Sequence, residues 1–376
     1  MPLPPLSLYV HLPWCERKCP YCDFNSHEAS RIPEAQYIEA LLADLERDLH
    51  LAAGRTVQTL FIGGGTPSLF SADAIARLMD AVAGKLSLAD RLEATMEANP
   101  GSAEAARFKG YRQAGINRLS LGVQSFQEEK LQALGRVHSG AQARAAIDLA
   151  IAAGFDNFNL DLMHGLPGQS PDDAMADLAT AIDMQPAHLS WYQLTIEPNT
   201  VFYTRPPSLP VEDALGDIQD RGEELLAASG YLQYEISAYS RPGMECRHNL
   251  NYWSFGDYLA IGAGAHGKIT DAAGRITRYA KTRAPADYLS GQQYTAQQRT
   301  LAPGEIIEEF MMFALRLNRG FTLDTFTSMT GLQPDVIEQK LSILAGKGLL
   351  LQQGRHIQAS DLGRRFLDTV IAEFIS

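Results

Sequence analysis

Over about the first 230 residues, short β-branched and aromatic runs alternate six times with longer stretches of helical period. LSLYVHL (6–12) is followed by EAQYIEALLADLERDL (34–49), and VQTLFIGGG (57–65) by a helical pattern near 71–84. RLEATMEANP (91–100) precedes SAEAARFKGYRQAG, and INRLSLGVQS (116–125) precedes a helical stretch reaching Ala153. NFNLDLMHG (157–165) precedes PDDAMADLATAID, and LSWYQLTIEP (189–198) precedes EDALGDIQDRGEELLAAS. Strands separated by helices at this period require a parallel sheet with right-handed crossovers. A closed eight-unit barrel takes about 250 residues. Six units therefore predict a partial, open (β/α)6 barrel, with a doubly wound sheet as the structural alternative.

In either architecture, chemistry collects at the carboxyl ends of the strands. Three cysteines follow the first strand, and Gly63-Gly64-Gly65-Thr66-Pro67 ends the second. Glu97 ends the third, Gln124 the fourth and Asp161 the fifth. GGGTP alone reads as a turn. Five successive strands with polar or glycine-rich ends on one rim read as a site.

The cysteines Cys15, Cys19 and Cys22 have the spacing C-x3-C-x2-C, and the fourth, Cys246, lies more than two hundred residues away. Four cysteines in 376 residues are too few for a disulfide scaffold. The start, MPLPPLSLYVHLPW, has no basic region or cleavage pattern, which predicts a reducing, cytoplasmic location. Two readings of the thiols remain. Zinc would recruit His11 or His27 as a fourth ligand. A [4Fe–4S] cluster on three thiolates would leave one iron for an outside ligand. A chelating amino acid suits that iron, and glycines at 63–65 would let it approach the backbone. The net charge of −12 argues against a nucleic-acid partner. No apolar run reaches the roughly 18–20 residues of a membrane span.

YVHLPWCERKCPYCDF, FIGGGTPS, MEANPG, GVQSF, LGRVH, NLDLMHGLP, YQLTIEPNT, HNLNYW and IGAGAHG run in order through about 270 residues. Together they resemble the oxygen-independent coproporphyrinogen III oxidase family of the radical S-adenosylmethionine (SAM) superfamily. The resemblance is specifically to its HemW branch, whose members are regarded as heme chaperones. It implies a [4Fe–4S] cluster on Cys15, Cys19 and Cys22, and SAM flanked by Tyr9 and the backbone at Tyr21. Gly64 would line the methionine end of SAM, and Glu97 would accept from it. Gly65, Thr66, Gln124, Arg136 and Asp161 match positions that hold a second SAM in the oxidase.

Oxidases of the family carry a further cysteine two places after the third, where this chain has Phe24. They also carry a long N-terminal arm, against fourteen residues before Cys15 here. Both departures lead us to expect no oxidase activity, and a chaperone on an enzyme fold. HNLNYW matches a motif linked to heme, which makes His248 the expected axial ligand, with Cys246 and His266 as further candidates. The implied partners are heme, an unidentified heme-accepting protein (a respiratory one among the candidates) and an electron donor. Heme delivery would bring the protein to the membrane periphery. The alternatives are a radical SAM methyltransferase or oxidase acting on a tetrapyrrole or heterocycle, and an electron-transfer iron–sulfur protein.

We expect three regions: a radical SAM core over 1–237, a segment 238–304 with HNLNYW, the glycine-rich loop and a linker from 268, and a C-terminal domain over 305–376. In the last, EIIEEFMMFALRLNRG, LDTFTSMTG and PDVIEQKLSILAGKG have helical period. LLLQQGRHIQAS reads as a hairpin and DLGRRFLDTVIAEFI as a final helix, a winged-helix-like order. Nine acidic against seven basic residues over 305–376 argue against DNA binding and for a protein-contact or substrate-covering role.

Overall fold

The fold grows from β1 (Leu6–Leu12), whose LSLYVHL is buried along nearly its whole length, as a strand covered on both faces must be. A computed structural model describes residues 3–101 and 106–375. Five further strands pair in parallel in chain order beside β1: β2 (Val57–Gly64), β3 (Leu88–Ala98), β4 (Arg118–Gln124), β5 (Phe158–His164) and β6 (His188–Gln193). The order runs straight from first to sixth, without the reversal a doubly wound sheet requires. The (β/α)6 arrangement expected of a radical SAM barrel is what forms.

Sequence-readable signals start the helices between these strands. Ser71 accepts from the Ala74 N–H at the head of the helix Ala72–Lys85. Ser139 with Gln142, and Ser170 with Asp173, form capping boxes on Gly140–Ala152 and Pro171–Asp183. Of the helix read over 102–115, residues 102–105 lie outside those described, and Phe108–Gln113 is helical. Along each strand one face sends Leu8, Leu60, Ile62 and Met96 into the helix layer. The other face is polar: Ser7 faces Thr59 at 2.7 Å, Asn159 donates to Ser120 at 2.7 Å, and His188 meets Asn159 at 2.7 Å.

After β6 the chain adds β7 (Leu232–Glu235) and β8 (Ala238–Ser240) antiparallel at that edge. It then crosses back. β9 (Asp257–Ile261) pairs in parallel with the far side of β1, and β10 (His266–Thr270), β11 (Ile276–Lys281) and β12 (Thr295–Thr300) follow antiparallel. The result is one twelve-stranded sheet. The segment 268–304, expected to be a linker, supplies most of three of these strands. TAQQRT in β12 is exposed almost throughout, so it lacks the apolar alternation that marks a half-buried strand. Buried ion pairs fix these late strands. Lys281 reaches Asp44 at 2.5 Å and Asp48 at 2.7 Å, and Lys268 reaches Asp257 at 2.9 Å.

The C-terminal unit packs Pro303–Ala314, Leu323–Thr330 and Asp335–Gly346 against a three-stranded wing of Phe321–Thr322, Leu350–Gln353 and His356–Ala359. The expected final helix is two, Asp361–Arg365 and Leu367–Ala372, broken at Phe366. Phe310, Phe326 and Leu341 form a core that continues into Phe255 and Ile276 of the sheet. Leu3 and Pro4, just ahead of β1, share a cavity with Ile306 and Thr330. The unit thus sits at the amino ends of β1 and β9, away from the cysteine rim, and does not cover it. Among the described residues no helix is long and apolar enough to cross a membrane.

Candidate functional site

The cysteines lie on the loop that leaves β1. Trp14–Cys15 pairs with His27–Glu28 and closes the loop at its base. Within it, Lys18 Nζ donates to the carbonyls of Phe24 and Ser26, each at 3.1 Å, and the Cys22 N–H donates to the Cys19 carbonyl at 3.1 Å. All three thiols are free and half-buried. Burial pushes the Cys15 and Cys22 thiols up from their ordinary pKa. At Cys15 a hydrogen bond opposes it, Thr66 Oγ1 donating to the Sγ at 3.5 Å; Arg136 Nη1 donates to Cys19 Sγ, also at 3.5 Å. His11, a candidate fourth ligand for zinc, spends both ring nitrogens on Tyr9 and Asn25, which weighs against zinc. Three separate sulfur donors beside a bare glycine turn fit a cluster with one iron left open.

Close packing dictates that turn. Gly64 has φ +118°, and a Cβ there would lie 2.6 Å from the His11 ring; one on Gly65 would lie 2.5 Å from the Trp14 carbonyl oxygen. His11 is itself fixed, its Nε2 donating to the Asn25 carbonyl and its Nδ1 accepting from the Tyr9 hydroxyl, both at 2.9 Å.

The Gly64 N–H donates to Glu97 Oε2 at 3.1 Å. Asp161 accepts from Ser120 at 2.9 Å and from Asn159 at 2.8 Å, and burial holds its carboxyl above the usual range. Arg136 donates to Asn99 Oδ1 at 2.7 Å and the Gly122 carbonyl at 2.8 Å, while Asn99 Nδ2 donates to Thr66 Oγ1 at 3.2 Å. One chain of contacts therefore runs Cys15–Thr66–Asn99–Arg136–Cys19. Gln124, at φ +66°, accepts from the Tyr192 hydroxyl at 2.9 Å. Tyr21 packs on Phe202.

A cleft of about 660 Å³ opens here, with Tyr9, Gly64 and Glu97 among its inner walls and Phe24, His266 and Arg283 at its mouth. Burial, then Asp161, push Glu97 up to about 8. A carboxyl raised in this way favours the folded state while protonated, and that contribution fades as pH climbs from its unfolded value through about 8. Glu97→Gln is therefore expected to gain on the parent as pH rises from about 6 to 9, melting about 2–4 °C higher at the alkaline end, some 1 kcal/mol. A melting difference that stays flat with pH would show that Glu97 is ionised throughout.

Two sequence profiles match the chain: the radical SAM superfamily over residues 9–181 and the HemN C-terminal domain over 301–366. Similar proteins include one named Heme chaperone HemW from Escherichia coli, 52% identical over 375 residues, covering 100% of this chain and 99% of the relative. The chain belongs to the HemW family. Relatives of the same name from Haemophilus influenzae and Bacillus subtilis are 48% and 34% identical, covering 100% and 98% of this chain and 99% of each relative. The solved coproporphyrinogen III oxidase HemN of Escherichia coli superposes with a TM-score of 0.84 at 25% identity, covering 100% of this chain and 91% of that one.

In this HemW-family barrel, Tyr9, Tyr21, Gly64, Gly65, Thr66, Glu97, Gln124, Arg136 and Asp161 gather on or just inside the rim that bears Cys15, Cys19 and Cys22. His248 does not join them. It lies on the short helix Arg247–Trp253 and is 2% exposed. Its ring stacks on Phe61 at 5.1 Å, meets Tyr252 edge-on at 5.0 Å, and bonds Thr59 through Nδ1 at 2.8 Å. Burial and Arg118 pull its pKa down to about 3, and Nε2 has no partner among the described residues. The N–H groups of Arg247 and His248 and the Cys246 thiol all converge on the Glu93 carboxylate. His248 and Cys246 thus pack inside the barrel and reach no surface, while Tyr252 of the same motif lines the cleft. Sequence reasoning missed Asn99 and Asn25, although Asn99 sits inside MEANPG and Asn25 directly follows the cysteine motif that ends at Phe24.

Proposed function

We propose that this protein is a heme chaperone that carries a [4Fe–4S] cluster on Cys15, Cys19 and Cys22, binds SAM exchangeably, and passes heme to an acceptor without decarboxylating coproporphyrinogen. The observation that carries the reading is the 52% identity, over the full length of both chains, to a protein named for heme chaperoning. When bound, the cluster supplies one-electron chemistry and an iron open to the amino and carboxylate groups of SAM. This chain's own residues prepare the place. Thr66 and Arg136 donate to two of the sulfurs and so hold them in place. The Gly64–Gly65 turn keeps side chains out of the ligand's path. Glu97 and Asp161 offer acceptors to an ammonium or ribose hydroxyl. We place the protein in the cytoplasm, meeting an electron donor there and its acceptor at the membrane periphery.

A radical SAM enzyme acting on a tetrapyrrole is the second reading, favoured by the fit to the solved oxidase. It ranks second because Phe24 stands where oxidases have a thiol.

The test is a heme titration of the full chain, prepared anaerobically with its cluster. One heme per chain should bind with a Kd of about 1 μM, some −8 kcal/mol, tight enough to shield the cargo and weak enough to release it. Added apomyoglobin should then take up the heme. Absence of saturable binding rejects the chaperone reading.

A further inference from the structure

His266 opens β10 at the mouth of the cleft, and its imidazole is exposed. No hydrogen bond or ion pair engages that ring among the described residues. The other histidines of the barrel interior are held or enclosed: His11 between Tyr9 and Asn25, His188 between Asn159 and Tyr234, His138 on the Val123 carbonyl, His248 on Thr59. His164 is 1% exposed.

The backbone explains why His266 stands beside the cysteine loop. Gly264, at φ +82°, lies so close to Asn25 that a Cβ would come within 2.1 Å of its amide. Asn25 Nδ2 donates to the carbonyls of Ala263 at 2.9 Å and Arg283 at 3.0 Å. One asparagine therefore ties the cysteine loop to the strand ends on either side of β10–β11, and gathers Phe24, His266 and Arg283 around one opening. Phe24 is 62% exposed, a large apolar ring displayed on a tethered loop. The Arg283 side chain is exposed and has no carboxylate partner among the described residues.

These three groups match three parts of one ligand. Iron takes an imidazole nitrogen, a macrocycle lies flat against an aromatic ring, and a propionate pairs with a guanidinium. We infer that the mouth of the cleft is the seat for heme, with His266 the axial ligand, Phe24 against the porphyrin face and Arg283 on a propionate. This rests on the reading that heme is the cargo, and it moves the ligand from the buried His248 to the cysteine face. Burial, with Arg278 and Arg283 nearby, keeps the His266 pKa below its ordinary value, so the ring is neutral and free to ligate at pH 7.

The experiment titrates hemin into the cluster-loaded full chain and its variants, with iron and sulfide assayed in each as a control for folding. His266→Ala should lose the axial-imidazole signature in the Soret and visible bands and weaken binding about tenfold. Millimolar imidazole should restore the bands. Arg283→Ala should weaken binding severalfold and leave the bands in place. His248→Ala, with an intact cluster, should keep the parent spectrum. Parent-like bands and affinity in His266→Ala overturn the assignment, as does loss of the axial signature in His248→Ala alone. In both of those cases heme still binds and the chaperone reading stands; absence of heme from the parent protein removes both.

Discussion

Cys19→Ser is expected to strip the protein of nearly all its iron. The anaerobically prepared parent should be brown and hold about four irons and four sulfides per chain, and the variant fewer than about one. Each thiol comes from a different part of the loop, so no neighbouring donor can replace a lost one. Among the described residues the side-chain neighbours of Cys22 and Cys15 include Ser26, at 3.7 Å from Cys22, and Thr66, at 3.5 Å from Cys15; both are hydroxyls, which bind soft iron–sulfur centres poorly. Cys19 has the most consequential surroundings, because Arg136 donates to its sulfur and ties it through Asn99 to Thr66 beside Cys15. A serine there leaves Arg136 with a hard oxygen and the cluster with two thiolates. Cys246→Ser should retain the full iron content, since that thiol lies among Glu93 and Arg118 inside the barrel. Metal and sulfide analysis decides it. Stoichiometric zinc without iron in the parent would remove the cluster and, with it, the family chemistry.

The six parallel strands were legible because each is short, rich in β-branched and aromatic or leucine residues, and alternates an apolar face toward the helices with a polar face inside the barrel. The rim was legible because polar or glycine residues recur at the ends of successive strands, where a single such end would read as a turn. What stayed hidden lies where the physics leaves no periodic trace. The strands after residue 256 are short or face solvent on an edge, so they carry Thr, Gln and Arg where alternation would have shown. The helix read through to Ala153 is two, Glu128–Ala133 and Gly140–Ala152, separated at Gly135, whose φ of +69° only glycine takes readily. His248 shows the opposite failure. A histidine among Asn, Tyr and Trp is an equally good recipe for a ligand site and for an interior hydrogen-bonded plug, and spacing does not separate them. Burial does, and burial belongs to the fold.

Reduced, cluster-loaded protein given SAM is expected to leave coproporphyrinogen III unconverted, at less than about a thousandth of an oxidase's rate, the deficit that losing some 4 kcal/mol of transition-state stabilisation produces. The reason is local. In the oxidases a thiol stands two residues beyond the third cluster cysteine; here the position is Phe24, on the mouth of the cleft and 62% exposed. A thiol can donate or accept a proton, bind iron or pass an electron; a benzyl group does none of these. It offers an apolar face instead, which suits holding a macrocycle and not reacting with its side chains. The barrel around it superposes closely on the solved oxidase, so the difference lies in the groups on the rim rather than in the scaffold. Product analysis after anaerobic incubation, with Cys15→Ser as the blank, is the measurement. Protoporphyrinogen forming at an oxidase's rate and only when Cys15 is intact would return the protein to the enzymes, and would mean that Phe24 sits clear of the reacting propionates.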